Sequence, residues 1–261
     1  VSESVRYDLA GDVAIITLNR PEAMNSLTDE MKVALRAAVE RAAADQGARA
    51  VLLTGEGRAF CAGQDLRTHA DHLAAGRGLN GTVREHYNPI VETIATMAKP
   101  VVAGVNGVAA GAGMSLALAC DLVVASEKAS FATAFTRIGL APDSGLSWTL
   151  QRLAGRAKAA ELLLLAEPVK APRALELGLI TEVVPADELP AAALRLAQRL
   201  AAGPTASYAA VKAALNHAAT SDLPAALEQE AVLQDELART ADHRNATEAF
   251  LKKEQPVFEG R

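Results

Sequence analysis

The chain has 261 residues, half of them hydrophobic, and a formal net charge of −5 at pH 7. That length supports one large domain, or one domain with a helical appendage, and the acidic balance argues against a protein that grips nucleic-acid phosphates. Aromatic residues make up only 3% of the chain, so the core must rest mainly on Ala, Leu and Val, with few large flat pockets.

Val5 to Leu9 and Val13 to Leu18 alternate as strands do, and Ala10-Gly11-Asp12 between them predicts a hairpin. Val1 to Gly11 lacks a basic stretch followed by an apolar run, so no signal peptide is expected. Thr28 can cap a helix running to about Ala44, with Asp29 and Glu30 in its favourable first turn. Ala50 to Thr54 reads as a short strand, followed by a glycine-rich segment, Gly55 to Asp65. Thr68 to Thr82 has weak periodicity and several Gly, His and Asn residues. It reads as a mobile loop, with His69 and His72 on its surface. A helix follows over roughly Val83 to Met97, then a strand, Val101 to Val105, opened by Pro100. Asn106-Gly107 signals a turn, and the small residues Ala109 to Gly113 lead into a helix, Met114 to Ala119, and a strand, Leu122 to Ala125. Strands alternating with helices predict an α/β architecture with crossover connections. After about Ala186 only helices are expected: Leu189 to Ala202, Ala206 to Ala218, Leu223 to Arg239 and His243 to Lys253. Their apolar faces need a partner. The division expected is a core over residues 1–203 and a helical module over 204–261.

Cys61 and Cys120 lie in no CxxC or Cys/His cluster and read as reduced, partly buried thiols of a cytoplasmic protein. No His/Asp/Glu cluster has metal-ligand spacing, so no metal is expected.

Three segments carry chemistry: Arg58 to Leu66, Asn106 to Gly113, and Ile138 to Gly145. The first two place small residues just after a strand, where a ligand can approach the backbone closely. Two main-chain N–H groups from different segments can form an oxyanion hole, and the second segment opens a helix whose positive end favours negative charge. Taken singly, each segment reads more simply as tight packing of a strand–helix turn, since small-residue turns are common. In the third, Asp143 is either a proton-exchanging carboxylate or an Asx-turn or helix-cap residue ahead of Ser147 to Leu153.

Together and in this order, these segments resemble the crotonase (enoyl-CoA hydratase/isomerase) superfamily over essentially the whole chain. Asn19-Arg20-Pro21 with Met24-Asn25-Ser26-Leu27 is similar to its N-terminal signature, Ala59 to Leu66 to its first oxyanion and adenine-binding loop, and Lys99-Pro100 through Gly113 with Cys120-Asp121 to its central signature. The resemblance implies a spiral of β-β-α turns ending in a helical oligomerisation module, assembled as a homotrimer or dimer of trimers. It implies an acyl-CoA substrate, with no cofactor beyond the CoA moiety, no nucleic acid and no membrane. The N–H groups of Ala62 and Ala112, with Gly111 as neighbouring alternative, would hold the thioester oxygen. Ala62, Gly63, Gln64, Asp65 and Leu66 would bind the adenine end of CoA, and Arg20 and Ala23 would line the pantetheine and phosphate path. Phe250 and Lys253 would close over the nucleotide, in this chain or from a neighbouring subunit.

Hydratases of the family carry two glutamates where this sequence has Ser115 and Phe135. That departure puts efficient water addition in doubt and leaves Asp143 as the acid–base residue, able to carry out a 1,3-proton shift. His86-Tyr87-Asn88-Pro89, Asn106 to Gly113, and Gly139 to Asp143 resemble the branch that isomerises ring-1,2-epoxyphenylacetyl-CoA to oxepin-CoA and shifts a double bond later. Tyr87 and Phe135 would then line the acyl pocket. The alternatives are an enoyl-CoA hydratase and an aryl-CoA dehalogenase-like enzyme pairing Asp143 with His86. A silent subunit is a further alternative, as is an RNA-binding module, against which Arg36 and Arg41 interspersed with Glu40 and Asp45 argue.

Overall fold

The computed structural model describes residues 4–79 and 81–260. Val1 to Glu3, Asn80 and Arg261, which fall in the expected core, loop and tail, lie outside the described residues.

Alternation builds the first unit as expected. β1 (Val5–Ala10) and β2 (Val13–Leu18) pair antiparallel, Ala10 opposite Val13, with Gly11 at φ +60° in the turn. α1 (Asp29–Ala44) starts where the Thr28 hydroxyl accepts the Met31 N–H at 3.2 Å. β3 (Ala50–Gly55) then pairs parallel to β2. From here the chain repeats one move: a strand in a large sheet, a short strand in a second sheet, then a helix. β4 (Ala59–Cys61) is followed by α2 (Leu66–Ala74), a π-helical turn over Val83–Tyr87 and α3 (Asn88–Thr96). β5 (Val101–Val105) and β6 (Val108–Ala110) lead to α4 (Ala112–Ala119). β7 (Leu122–Ser126) and β8 (Ser130–Ala132) lead to α5 (Leu146–Leu165), which breaks at Gly155. β9 (Val169–Lys170), α6 (Ala171–Glu176) and β10 (Glu182–Val184) close the core. The large sheet has the order β1-β2-β3-β5-β7-β10, and the small one β4-β6-β8-β9. This is the expected α/β spiral of β-β-α turns.

Two-residue periodicity sorts the large sheet's faces. Ala14, Ile16, Val51, Leu53, Ala103 and Val123 pack toward α1, α3 and α4, in a core that also buries Met31, Leu35, Ile90 and Ile94. Val13, Leu52, Val102 and Val124 pack toward α7 (Leu189–Ala201) through Leu189, Ala193 and Ala197. Both faces are thus covered, as parallel sheets require.

The chain ends in α8 (Thr205–Ala218), α9 (Leu223–Leu237) and α10 (Ala241–Lys252). Lys212 of α8 anchors this tail: its buried ammonium donates to the carbonyls of Ile94 and Lys99 at 3.0 Å and pairs with Asp121 at 2.8 Å. At the other end the Asp242 carboxylate accepts the N–H groups of Glu259 and Gly260. Leu215, Leu223, Leu227 and Leu251 stay exposed. Among the described residues, no helix is long and apolar enough to cross a membrane.

Two readings of the middle of the chain are corrected. The start of the expected loop Thr68 to Thr82 is α2, because the Asp65 carboxylate accepts the N–H groups of Arg67 and Thr68 and caps a helix. His72 is not a surface residue: it is buried, with Nε2 3.1 Å from Asp29. Cys61 and Cys120 are both buried free thiols, and burial pushes the Cys61 thiol up to about 12.

Candidate active site

The site forms where the small sheet hands its strands to loops and to α4. Asn25, buried and at φ +54°, fastens the entrance: its amide donates to the carbonyls of Glu56 and Ala59, and its carbonyl accepts the Arg20 N–H. This holds the 24–27 segment beside the loop after β4. There Leu27 N–H donates to Gly63 O at 2.8 Å, and Asp65 N–H donates to Leu27 O at 3.1 Å.

That pairing decides which amide is available. In a parallel bridge, the residue between the two bonded partners turns its own N–H and C=O to the opposite side. Gln64 is that residue, and its N–H has no acceptor among the described residues. The Ala62 N–H, by contrast, donates to the Met24 carbonyl at 3.0 Å. The Ala62 N–H, expected as a donor to ligand, is therefore taken within the fold, whereas the Gln64 N–H is not. The second expected donor, Ala112, is the first residue of α4, so its N–H has no intrahelical partner. Gly111 is not that donor, because its N–H is taken by the Ala132 carbonyl at 2.9 Å. The two segments touch: a Cβ on Gly63 would meet the Ala110 carbonyl at 2.7 Å and the Ala112 nitrogen at 3.4 Å. Two amides beside a helix N-terminus can hold an oxyanion.

An inner cavity of about 140 Å³ opens from these amides, lined by Gly63, Gln64, Ala112, Tyr87, Phe135 and Asp143 together with apolar side chains. Leu66, Leu79, Ile138 and Leu140 supply most of that apolar wall, and His69, half-buried, lines it too. Among the described residues, Asp143 is the one carboxylate on the wall. Ser144 at φ +53° and Gly145 at φ +74° form the turn that delivers it. The helix-cap reading fails, because α5 has Gly145 as its cap with no side-chain capping bond. Instead the Asp143 carboxylate accepts the Ser144 hydroxyl at 2.8 Å. Burial pushes its pKa above the ordinary carboxylate range, and the Ser144 bond offsets only part of that. Ser115 sits behind it, its hydroxyl directed at the main-chain carbonyls of Gly111 and Asp143. His86 does not line the cavity. Its Nδ1 lies 3.1 Å from the Thr82 hydroxyl, which removes the Asp143–His86 pairing of the dehalogenase alternative.

An outer cleft of about 580 Å³ adjoins, lined by Arg20, Ala23, Ala62, Gln64, Asp65 and Leu66 among others. Ala62, Gln64 and Leu66 border both spaces, so an elongated ligand can run from one to the other. Burial would raise the Asp65 carboxyl, but bonds from Thr68, Ser26 and Arg20 hold it below the ordinary range. Phe250 and Lys253 are not brought to either space within one chain; Phe250 is 81% exposed at the end of α10.

The sequence reading missed Lys32, which is fully buried and reaches Gln64 and Thr82. A signal existed: Lys32 sits on the apolar stripe of α1 with Leu35 and Val39, where a solvated lysine does not belong.

Comparison with known proteins gives the same picture. The family model for enoyl-CoA hydratase/isomerase matches residues 8–261. A Rhodobacter capsulatus protein described as "Probable enoyl-CoA hydratase" is 47% identical over 99% of this chain and 98% of its own length. The 1,2-epoxyphenylacetyl-CoA isomerase of Escherichia coli is 44% identical over 95% of each chain. A solved structure from Mycobacterium abscessus, assigned to the same hydratase/isomerase class, has a TM-score of 0.95 at 44% identity, covering 98% of this chain and 100% of that one. The chain belongs to the enoyl-CoA hydratase/isomerase (crotonase) family.

Proposed function

We propose that the protein is an acyl-CoA isomerase. The observation that carries this is Asp143, the single carboxylate among the described residues of a cavity wall whose other polar side chains are Gln64, His69, Thr82 and Tyr87. The thioester oxygen accepts from the Gln64 and Ala112 N–H groups, and the acyl chain lies in the inner cavity. Asp143 takes a proton from the carbon alpha to the thioester, leaving an enolate whose charge rests on those two amides. It then returns the proton two carbons further along. The double bond moves from the 3- to the 2-position, and the formula is unchanged. Desolvation favours this role, because a raised pKa makes the carboxylate a stronger base and a usable acid.

The same site suits the conversion of ring-1,2-epoxyphenylacetyl-CoA to oxepin-CoA, a reading supported by similarity to the Escherichia coli isomerase. Hydration is the second reading, favoured by the Rhodobacter capsulatus relative. It would require one carboxylate to activate water and protonate carbon together. The CoA nucleotide lies in the outer cleft along Arg20, Ala23 and Asp65. Phe250 and Lys253 reach a nucleotide only from a neighbouring subunit, and the exposed leucines of α8 to α10 form the contact between copies in a trimer or dimer of trimers. The test is the ultraviolet absorbance of a 3-enoyl-CoA and, separately, of an epoxidised phenylacetyl-CoA mixed with the protein. Conjugation of the new double bond with the thioester is the expected change. Rapid hydration of a 2-enoyl-CoA with neither isomerisation would overturn the reading.

A further inference from the structure

Behind the oxyanion loop lies a buried polar cluster that the proton transfer does not use. The Tyr87 hydroxyl donates to the Gln64 side-chain oxygen at 2.5 Å. The Lys32 ammonium donates to the same oxygen at 3.3 Å and to the Thr82 hydroxyl at 2.5 Å. Asp29 pairs with Lys32 at 2.7 Å and with His72 at 3.1 Å, and the Lys32 ammonium stands 5.4 Å from the centre of the Tyr87 ring. Lys32 is completely buried and Tyr87 is 2% exposed. Desolvating an ammonium costs several kcal/mol, and a leucine would continue the apolar stripe of α1. What the lysine adds is a directed hold on Gln64.

The consequence runs through the Gln64 backbone. Leu27 fixes the chain on both sides of Gln64, and the clamped carboxamide fixes the remaining substituent on its α carbon. With both restrained, the main-chain N–H has one direction, away from Leu27. We propose that Tyr87 and Lys32 are positioning residues for the oxyanion site, acting through the Gln64 side chain to aim the Gln64 N–H. This rests on the oxyanion role given to that N–H above. Tyr87 has one hydroxyl proton, and Gln64 uses it. Tyr87 therefore does not donate to the acyl group, although its ring lines the cavity.

The test is a double-mutant cycle. Tyr87→Phe and Gln64→Met each remove the shared bond while keeping size, and Gln64→Met leaves the main-chain N–H in place. Two quantities are read: kcat and KM for a 3-enoyl-CoA, and the red shift of a conjugated dienoyl-CoA on binding, which reports polarisation of its carbonyl. Each single variant should lower kcat about threefold to tenfold, as loss of one hydrogen bond does. Each should shrink the red shift and move KM less than about twofold. The double variant should be no worse than the poorer single one. Lys32→Met added to Gln64→Met should lower thermal stability without lowering kcat further. Multiplying losses in the double variant, or a Tyr87→Phe protein with wild-type kcat and red shift, overturns the inference. A wild-type protein that gives no red shift removes the oxyanion reading itself, and the inference falls with it.

Discussion

Gly113→Ala tests whether the oxyanion site depends on the contact between β4 and α4. A Cβ built at Gly113 would stand 2.0 Å from the Cys61 carbonyl oxygen and 2.8 Å from its carbonyl carbon. Real Cβ atoms essentially never come within 3.0 Å of such neighbours, so the strand and the helix must part by about 1 Å. The strand leads into the loop that carries Gln64, and the helix starts at Ala112, so the strain falls on the two amides. Overpacking of this kind costs about 1–3 kcal/mol of stability. A displacement near 1 Å, or one lost donor, costs about a hundredfold in rate. Gly11→Ala is the control: it has φ +60° and nothing within 4 Å of its new methyl. It should cost about 1–2 kcal/mol through left-handed strain alone and leave kcat unchanged. Thermal melts and initial rates on a 3-enoyl-CoA separate the two. If Gly113→Ala keeps wild-type kcat while losing stability as Gly11→Ala does, the contact is packing only and the reasoning is refuted.

Other outcomes follow from the same geometry. A base must be ionised to act, and burial lifts the Asp143 pKa, so kcat/KM should rise with pH through a value above the ordinary carboxylate range; a flat profile across that range would contradict it. A raised folded pKa also means the folded state loses stability as pH rises through it. Asp143→Asn should therefore raise Tm at neutral pH, with the gain vanishing below the unfolded carboxylate's pKa. Lys212→Met should lower stability by about 2–3 kcal/mol, discounted because Asp121 keeps 27% side-chain exposure, and protease should then release α8 to α10 first. Sedimentation should find a trimer or hexamer at micromolar concentration, not a monomer.

Local rules made much of this legible in the sequence. The alternation of β1 and β2, the Thr28 cap and the small residues before α4 each act within a few positions, and each holds in the structure. The second sheet was not legible, because β4, β6, β8 and β9 are two or three residues long and show no period. α2 was hidden by its two histidines and by the glycines that follow it, although Asp65 before Leu66 is a cap signal. That the Ala62 N–H is taken while the Gln64 N–H is not could not be read, since it depends on the bond to Met24 and the bridge to Leu27, contacts across the fold. His72 looks like a surface residue until Asp29 is seen beside it.

The central claim is that Asp143 moves the proton, and Asp143→Asn in deuterated solvent tests it most directly. The variant keeps the shape of the side chain and the turn at Ser144 but cannot exchange a proton. It should bind CoA thioesters as the wild type does while isomerase turnover falls about a hundredfold to ten-thousandfold, and deuterium wash-in at the alpha carbon should disappear. Near wild-type turnover with wash-in retained would mean that Asp143 is only a turn residue.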